Sequence, residues 1–156
     1  MTKVFVVYDS KYGNTKLVAE KIVEGIKEVE GIETAIGYVK EVNPEKLADY
    51  EAILIGAPNH MGKPSRTISK FVDELAKLDL KMKQVAVFDT YFARPRNFEK
   101  AMKKLEKLIS EKLPSWKLIT SGLSIKVVGI FGPIADGELP KCIDFGKKIA
   151  HQLKNQ

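Results

Sequence analysis

Short apolar runs alternate along this chain with longer stretches in which apolar side chains return every third or fourth position. The first run, Val4-Phe5-Val6-Val7-Tyr8, predicts a strand over residues 3–8. Val18, Ile22, Ile26 and Val29 then share one stripe and predict a helix from Thr15 to about Glu30, with Gly31 as its C-cap. Glu33 to Val39 reads as a second strand, and Asn43-Pro44 opens a short helical turn to Asp49. Ala52 to Gly56 is uninterruptedly apolar, which suits a third strand covered on both faces. Ile68, Phe71, Val72 and Leu75 mark a second helix, and Gln84 to Phe88 a fourth strand. Phe98, Met102, Leu105, Leu108 and Ile109 line a third helix that Leu113-Pro114 stops. Lys117 to Ile130 reads as a long or interrupted fifth strand, broken at Gly122, and the last helix runs from about Glu138 to Leu153.

Strands that alternate with helices pair in parallel and carry helices on both faces. The expected architecture is therefore α/β, a doubly wound five-stranded sheet in one domain spanning residues 1–156. Such sheets bind ligands at the carboxyl ends of their strands. Three loops are predicted there: 9–15, 57–65 and 89–97.

Composition narrows the classes. The apolar runs are too short for a membrane span. Met1-Thr2-Lys3 leads straight into a strand, without the layout of a signal peptide. The single cysteine, Cys142, allows no internal disulfide and no metal-cluster spacing, so a cytoplasmic protein is expected. The net charge is +6, but the lysines are spread over every predicted helix and interleave with glutamates, as in Glu20-Lys21 and Glu99-Lys100. That pattern reads as a solvated surface, not a nucleic-acid face.

The first loop, Asp9-Ser10-Lys11-Tyr12-Gly13-Asn14-Thr15, joins a buried strand to a helix start. Such a junction aims unpaired backbone N–H groups and the positive end of a helix dipole at one point, where a phosphate fits. No Gly-Lys-Ser/Thr ends it, and only Gly13 is present, so it is neither a Walker loop nor a dinucleotide fingerprint. The plain alternative is a helix cap, with Asn14 at the N-cap and Gly13 in a tight turn. In the second loop, Gly56-Ala57-Pro58-Asn59-His60-Met61-Gly62-Lys63-Pro64-Ser65, prolines and glycines fix an extended path. Asn59 and His60 could bond the carbonyls or nitrogens of a planar ring, and Met61 could pack on its face. The third loop, Asp89-Thr90-Tyr91-Phe92-Ala93-Arg94-Pro95-Arg96-Asn97, offers Tyr91 and Phe92 for stacking, with at least one of the two rings expected in the core. Trp116 is expected to pack.

With these loops in place the chain resembles the flavodoxin superfamily, and most of all the flavodoxin-like domain of flavodiiron proteins. Tyr8 to Thr15, Gly56-Ala57-Pro58-Asn59, Phe88-Asp89-Thr90-Tyr91 and the closing Cys142 to Ala150 carry the resemblance. It implies a sheet in the order 2-1-3-4-5 and FMN as cofactor. Ser10, Lys11, Tyr12, Gly13, Asn14 and Thr15 would hold the phosphate. Pro58, Asn59, His60, Met61 and Gly62 would line one side of the flavin, and Thr90, Tyr91, Phe92 and Ala93 the other. Two departures stand out. The rim residues Lys11, Lys63, Arg94 and Arg96 are basic where flavodoxins are usually acidic. No metal-binding domain accompanies the resemblance, and two histidines cannot build a di-iron site.

The implied role is an electron carrier between redox protein partners, which the basic rim would make acidic ones. No catalytic residue and no metal is needed for that. The same fold could instead serve an FMN-dependent enzyme reducing a quinone or small acceptor with NAD(P)H, or a cofactor-free binding module. Monomer and small homo-oligomer both remain compatible with the sequence.

Overall fold

The computed structural model describes residues 1–60, 62–92 and 100–156, with Lys100 described in its backbone only. The strands are β1 (Thr2–Tyr8), β2 (Ile32–Tyr38), β3 (Ala52–Pro58), β4 (Gln84–Phe92), β5 (Lys117–Leu118) and β6 (Leu123–Val127). The helices are α1 (Asn14–Lys27), α2 (Arg66–Lys77), α3 (Lys100–Lys112) and α4 (Leu139–Lys154), with short 3-10 turns at Val39–Glu41 and Pro44–Asp49. All strand pairs are parallel, in the order β2-β1-β3-β4-β5. β6 lies on the same partner as β5, pairing the far half of β4 from Phe88↔Leu123 to Phe92↔Val127. The fifth position is thus filled by two half-strands, and Gly122 sits in the gap between them, its N–H donating to Glu106 Oε2 at 3.1 Å.

Period-two alternation splits the sheet into two cores. Val4, Val6, Leu54, Ala86 and Phe88 pack with Ile22 and Ile26 of α1 and Ile149 of α4. Ile53, Ile55, Val85 and Val87 face the other way, onto Phe71 and Leu75 of α2 and Leu105 and Ile109 of α3. Trp116 packs in this second core, as expected. The α1–α4 crossing is close: a Cβ on Gly25 would lie 2.0 Å from the Ile143 carbonyl oxygen, and one on Gly146 2.1 Å from that of Ile22. Only glycine permits those contacts.

The ends of α1 and β4 differ from the sequence expectation. α1 ends at Lys27, because Glu28 and Val29 turn their N–H groups back to the carbonyls of Gly25 and Ile26 at 3.2 and 3.0 Å. Gly31, at φ 90°, therefore bends the chain into β2 and caps nothing. β4 runs four residues past Phe88, so Asp89 to Phe92 are strand and not loop. A buried aspartate can continue the strand because its carboxylate accepts from the Met102 N–H at 2.8 Å and from the Ser124 hydroxyl. No helix among the described residues is long and apolar enough to cross a membrane.

Candidate functional site

The carboxyl ends of β1, β3 and β4 converge, and a cavity of about 150 Å³ opens among them. The Asp9 N–H donates to the Gly56 carbonyl at 3.0 Å, which ties the first loop to β3. Ser10 Oγ accepts from the Gly13 N–H at 3.1 Å and closes the loop on itself. Gly13, at φ 90°, is the N-cap of α1, and Asn14 is its first helical residue, so the plain expectation of Asn14 as N-cap is corrected. A backbone that must turn left-handed there selects glycine. No side chain caps this helix and no acidic residue stands in its first turn. Its leading N–H groups and positive dipole end are left for an anion. Ser10, Lys11, Tyr12, Asn14 and Thr15 all line the cavity; Gly13 shapes the turn behind them.

The second loop is a tight, self-bonded turn. The His60 N–H donates to the Lys63 carbonyl at 2.7 Å, and the Lys63 N–H returns to His60 at 3.0 Å. Asn59 Oδ1 accepts from the Gly62 N–H at 2.7 Å, with Gly62 at φ 83°. The Asn59 N–H donates to the Thr90 carbonyl at 2.9 Å, joining this loop to β4. Pro58, Asn59 and the exposed His60 line the cavity, whereas Gly62 supports the turn from behind. The oxygen of Asn59 is held by Gly62, which leaves less of that side chain for a ring than the sequence reading assigned it. Met61 lies outside the described residues.

β4 settles the two aromatic residues. Thr90 and Phe92 point to the cavity, and Tyr91 points to the opposite face, where it is 9% exposed. The Thr90 hydroxyl pairs with that of Thr15 at 2.9 Å, both side chains being buried. Ala93, Arg94 and Arg96 lie outside the described residues.

Two lining residues escaped the sequence reading. Val127 ends β6, and Ile130 stands in the loop that follows. That reading ran the fifth strand through Ile130. The Gly-Ile-Phe-Gly stretch at 129–132, apolar residues between two glycines, was the available signal. Glu138, at the start of α4, fixes this corner. It accepts from the Lys126 N–H at 2.9 Å and pairs with Lys141 Nζ at 2.5 Å. Burial pushes the Glu138 carboxyl up, but the Lys141 ammonium and the Lys126 N–H outweigh it and hold the group below the usual carboxylate range.

Comparison with known proteins agrees with this geometry. A family profile described as a flavodoxin domain matches residues 5–154. The chain belongs to the flavodoxin domain family. A flavodoxin of Aquifex aeolicus is 36% identical over 75 residues, which are 48% of this chain and 40% of that relative. The match therefore spans less than half the length of that curated relative. Among solved structures, a flavodoxin from the domain Archaea superposes with a TM-score of 0.81 at 27% identity, covering 98% of this chain and 99% of that one. The flavodiiron core of Synechocystis Flv1 superposes with a TM-score of 0.77 at 22% identity, over 99% of this chain and 36% of the longer protein. That last likeness is one of fold. The expected order 2-1-3-4-5 with helices on both faces is the one these flavodoxin-domain structures share.

Proposed function

We propose that this protein binds FMN in the cavity and passes electrons between redox protein partners. The observation that carries the reading is the uncapped start of α1, with its N–H groups open and Ser10 and Asn14 beside it on the cavity wall. The donor set fits a phosphate monoester: backbone N–H groups, a hydroxyl and an amide, with Lys11 at the rim and no carboxylate in the first helical turn. Pro58, His60 and Phe92 offer flat and apolar wall to a ring system.

When bound, FMN supplies the one- and two-electron chemistry. The chain's own residues bind, orient and tune it. Residues 10–15 anchor the phosphate, and the hydroxyl of Thr15, already held by Thr90, fixes the spacing between the first loop and β4. Phe92 and Pro58 cover part of the cavity wall with apolar surface. Lys11 on the cavity wall and the exposed Lys63, whose backbone pairs with that of His60, bring positive charge to this end of the sheet, which favours the more negative, reduced form of the cofactor and steers acidic partners here. His60, exposed on the cavity edge, is the nearest candidate to hand over a proton if the protein reduces a small acceptor instead.

Titration of the cofactor-stripped protein with FMN, followed by quenching of flavin fluorescence, tests the reading. Stoichiometric binding is expected; no binding overturns it and leaves a cofactor-free module. NADPH oxidation with a quinone by the loaded protein alone would make it an oxidoreductase in place of a carrier.

A further inference from the structure

We propose that the loop 128–132 is a fourth element of the cofactor site, with Phe131 as a positioning residue for the phosphate loop. The proposal rests on the FMN reading above. The loop is built, not slack. The Val128 N–H donates to the Pro133 carbonyl at 2.9 Å, and the Gly132 N–H to the Gly129 carbonyl at 3.0 Å. Val127 bridges Ile134 across its base, and Glu138 anchors the strand it leaves.

Its outer residues meet the phosphate loop at two points. Phe131 stands edge-on to Tyr12, with ring centroids 4.7 Å apart and planes at 80°. Gly132, at φ +94°, runs so close to Asn14 that a Cβ there would lie 2.5 Å from Asn14 Oδ1. Within the phosphate loop, the Ser10–Gly13 bond and the Lys11 ammonium 5.4 Å from the centre of the Tyr12 ring are local ties between near neighbours. A brace from outside therefore has leverage on where the donors of residues 12–14 stand.

Burial argues the same way. Among the described residues nine large apolar side chains are exposed, and Tyr12, Phe92, Ile130 and Phe131 are four of them. All four line the cavity or pack on a residue that does. Phe131 is 72% exposed, so its burial adds little to the fold's stability. Among the described residues its ring partner is Tyr12, a residue of the phosphate loop. An aromatic side chain spent there serves the loop it touches.

The test separates phosphate anchoring from ring contact by titrating with FMN and with riboflavin, which lacks the phosphate. Phe131→Ala is expected to weaken FMN about tenfold, mainly through faster release, while riboflavin affinity changes less than about twofold. Phe131→Tyr restores FMN affinity. Gly132→Ala, which pushes on Asn14 directly, shows the same selective loss. The melting temperature of the cofactor-free Phe131→Ala protein stays within about 2 °C of the parent, since the side chain is exposed. Equal losses for FMN and riboflavin, or no loss for FMN, overturn the brace while leaving the FMN reading intact. Failure of the parent protein to bind FMN overturns both.

Discussion

The hydroxyls of Thr15 and Thr90 meet at 2.9 Å across 75 residues of sequence. One sits in the first turn of α1 and the other near the end of β4, and both are buried. The pair sets the distance between the start of α1 and the carboxyl end of β4. Replacing Thr90 with valine keeps the volume and takes this partner from the buried Thr15 hydroxyl. Urea denaturation should show a loss of about 1–2 kcal/mol. FMN affinity should fall with it.

The alternation of β4 assigns opposite duties to adjacent rings. Phe92 faces the cavity and Tyr91 is buried. Phe92→Ala should weaken FMN several-fold and leave the cofactor-free protein as stable as before. Tyr91→Ala should cost about 3 kcal/mol of stability by opening a void. Equal stability losses in the two variants would contradict the assignment.

Charge at the rim should read out as potential. A unit charge roughly 8 Å from a redox centre, at an effective dielectric near 40, is worth about 1 kcal/mol, or about 40 mV for one electron. Replacing Lys11 and Lys63 together with glutamine should lower the potential of the bound cofactor by tens of millivolts at low salt. The difference should shrink as ionic strength rises and the Debye length contracts. A potential unmoved by both substitutions would remove these lysines from the tuning.

Glu138 should give the fold part of its acid sensitivity. Its carboxyl titrates below the ordinary 4.5 in the folded chain. A folded value below the unfolded one means that the group stabilises the fold above about pH 4.5, and that this is lost as pH falls through the folded value. Glu138→Gln should therefore lower stability at neutral pH by about 1–2 kcal/mol, from the weakened Lys126 N–H bond. The gap from the parent protein should close between pH 4.5 and lower pH. Stability curves that stay parallel through that window would exclude the role.

Cys142 should be inert in the folded protein. It is fully buried, and burial pushes its thiol up to about 12. Thiolate, not thiol, reacts with disulfide reagents. Labelling at pH 8 should wait for unfolding, so its rate reports global opening.

Much of this was legible beforehand. The continuous apolar run of β3 is legible because a strand covered on both faces has no polar side to show. The α1 stripe is legible because helical burial repeats near every fourth residue. The carboxyl end of β4 was not. Asp89, Thr90 and the partly exposed Phe92 look like loop until Met102, Ser124 and Thr15 arrive as partners. Gly31 misled for a related reason: a glycine after a helix looks like its cap, whereas backbone bonds to Gly25 and Ile26 had already ended the helix.

Periodicity and turn chemistry along the chain were thus enough to determine the alternating elements, the parallel doubly wound sheet and the loop at which an anion site is expected, because each depends on neighbours within a few residues. Tertiary structure alone decided that Phe92 and not Tyr91 faces the cavity, that Asn59 bonds its own turn, and that Phe131 lies on Tyr12. Those outcomes depend on strand register and on contacts between residues far apart in sequence, and no local pattern encodes which distant partner a side chain will meet.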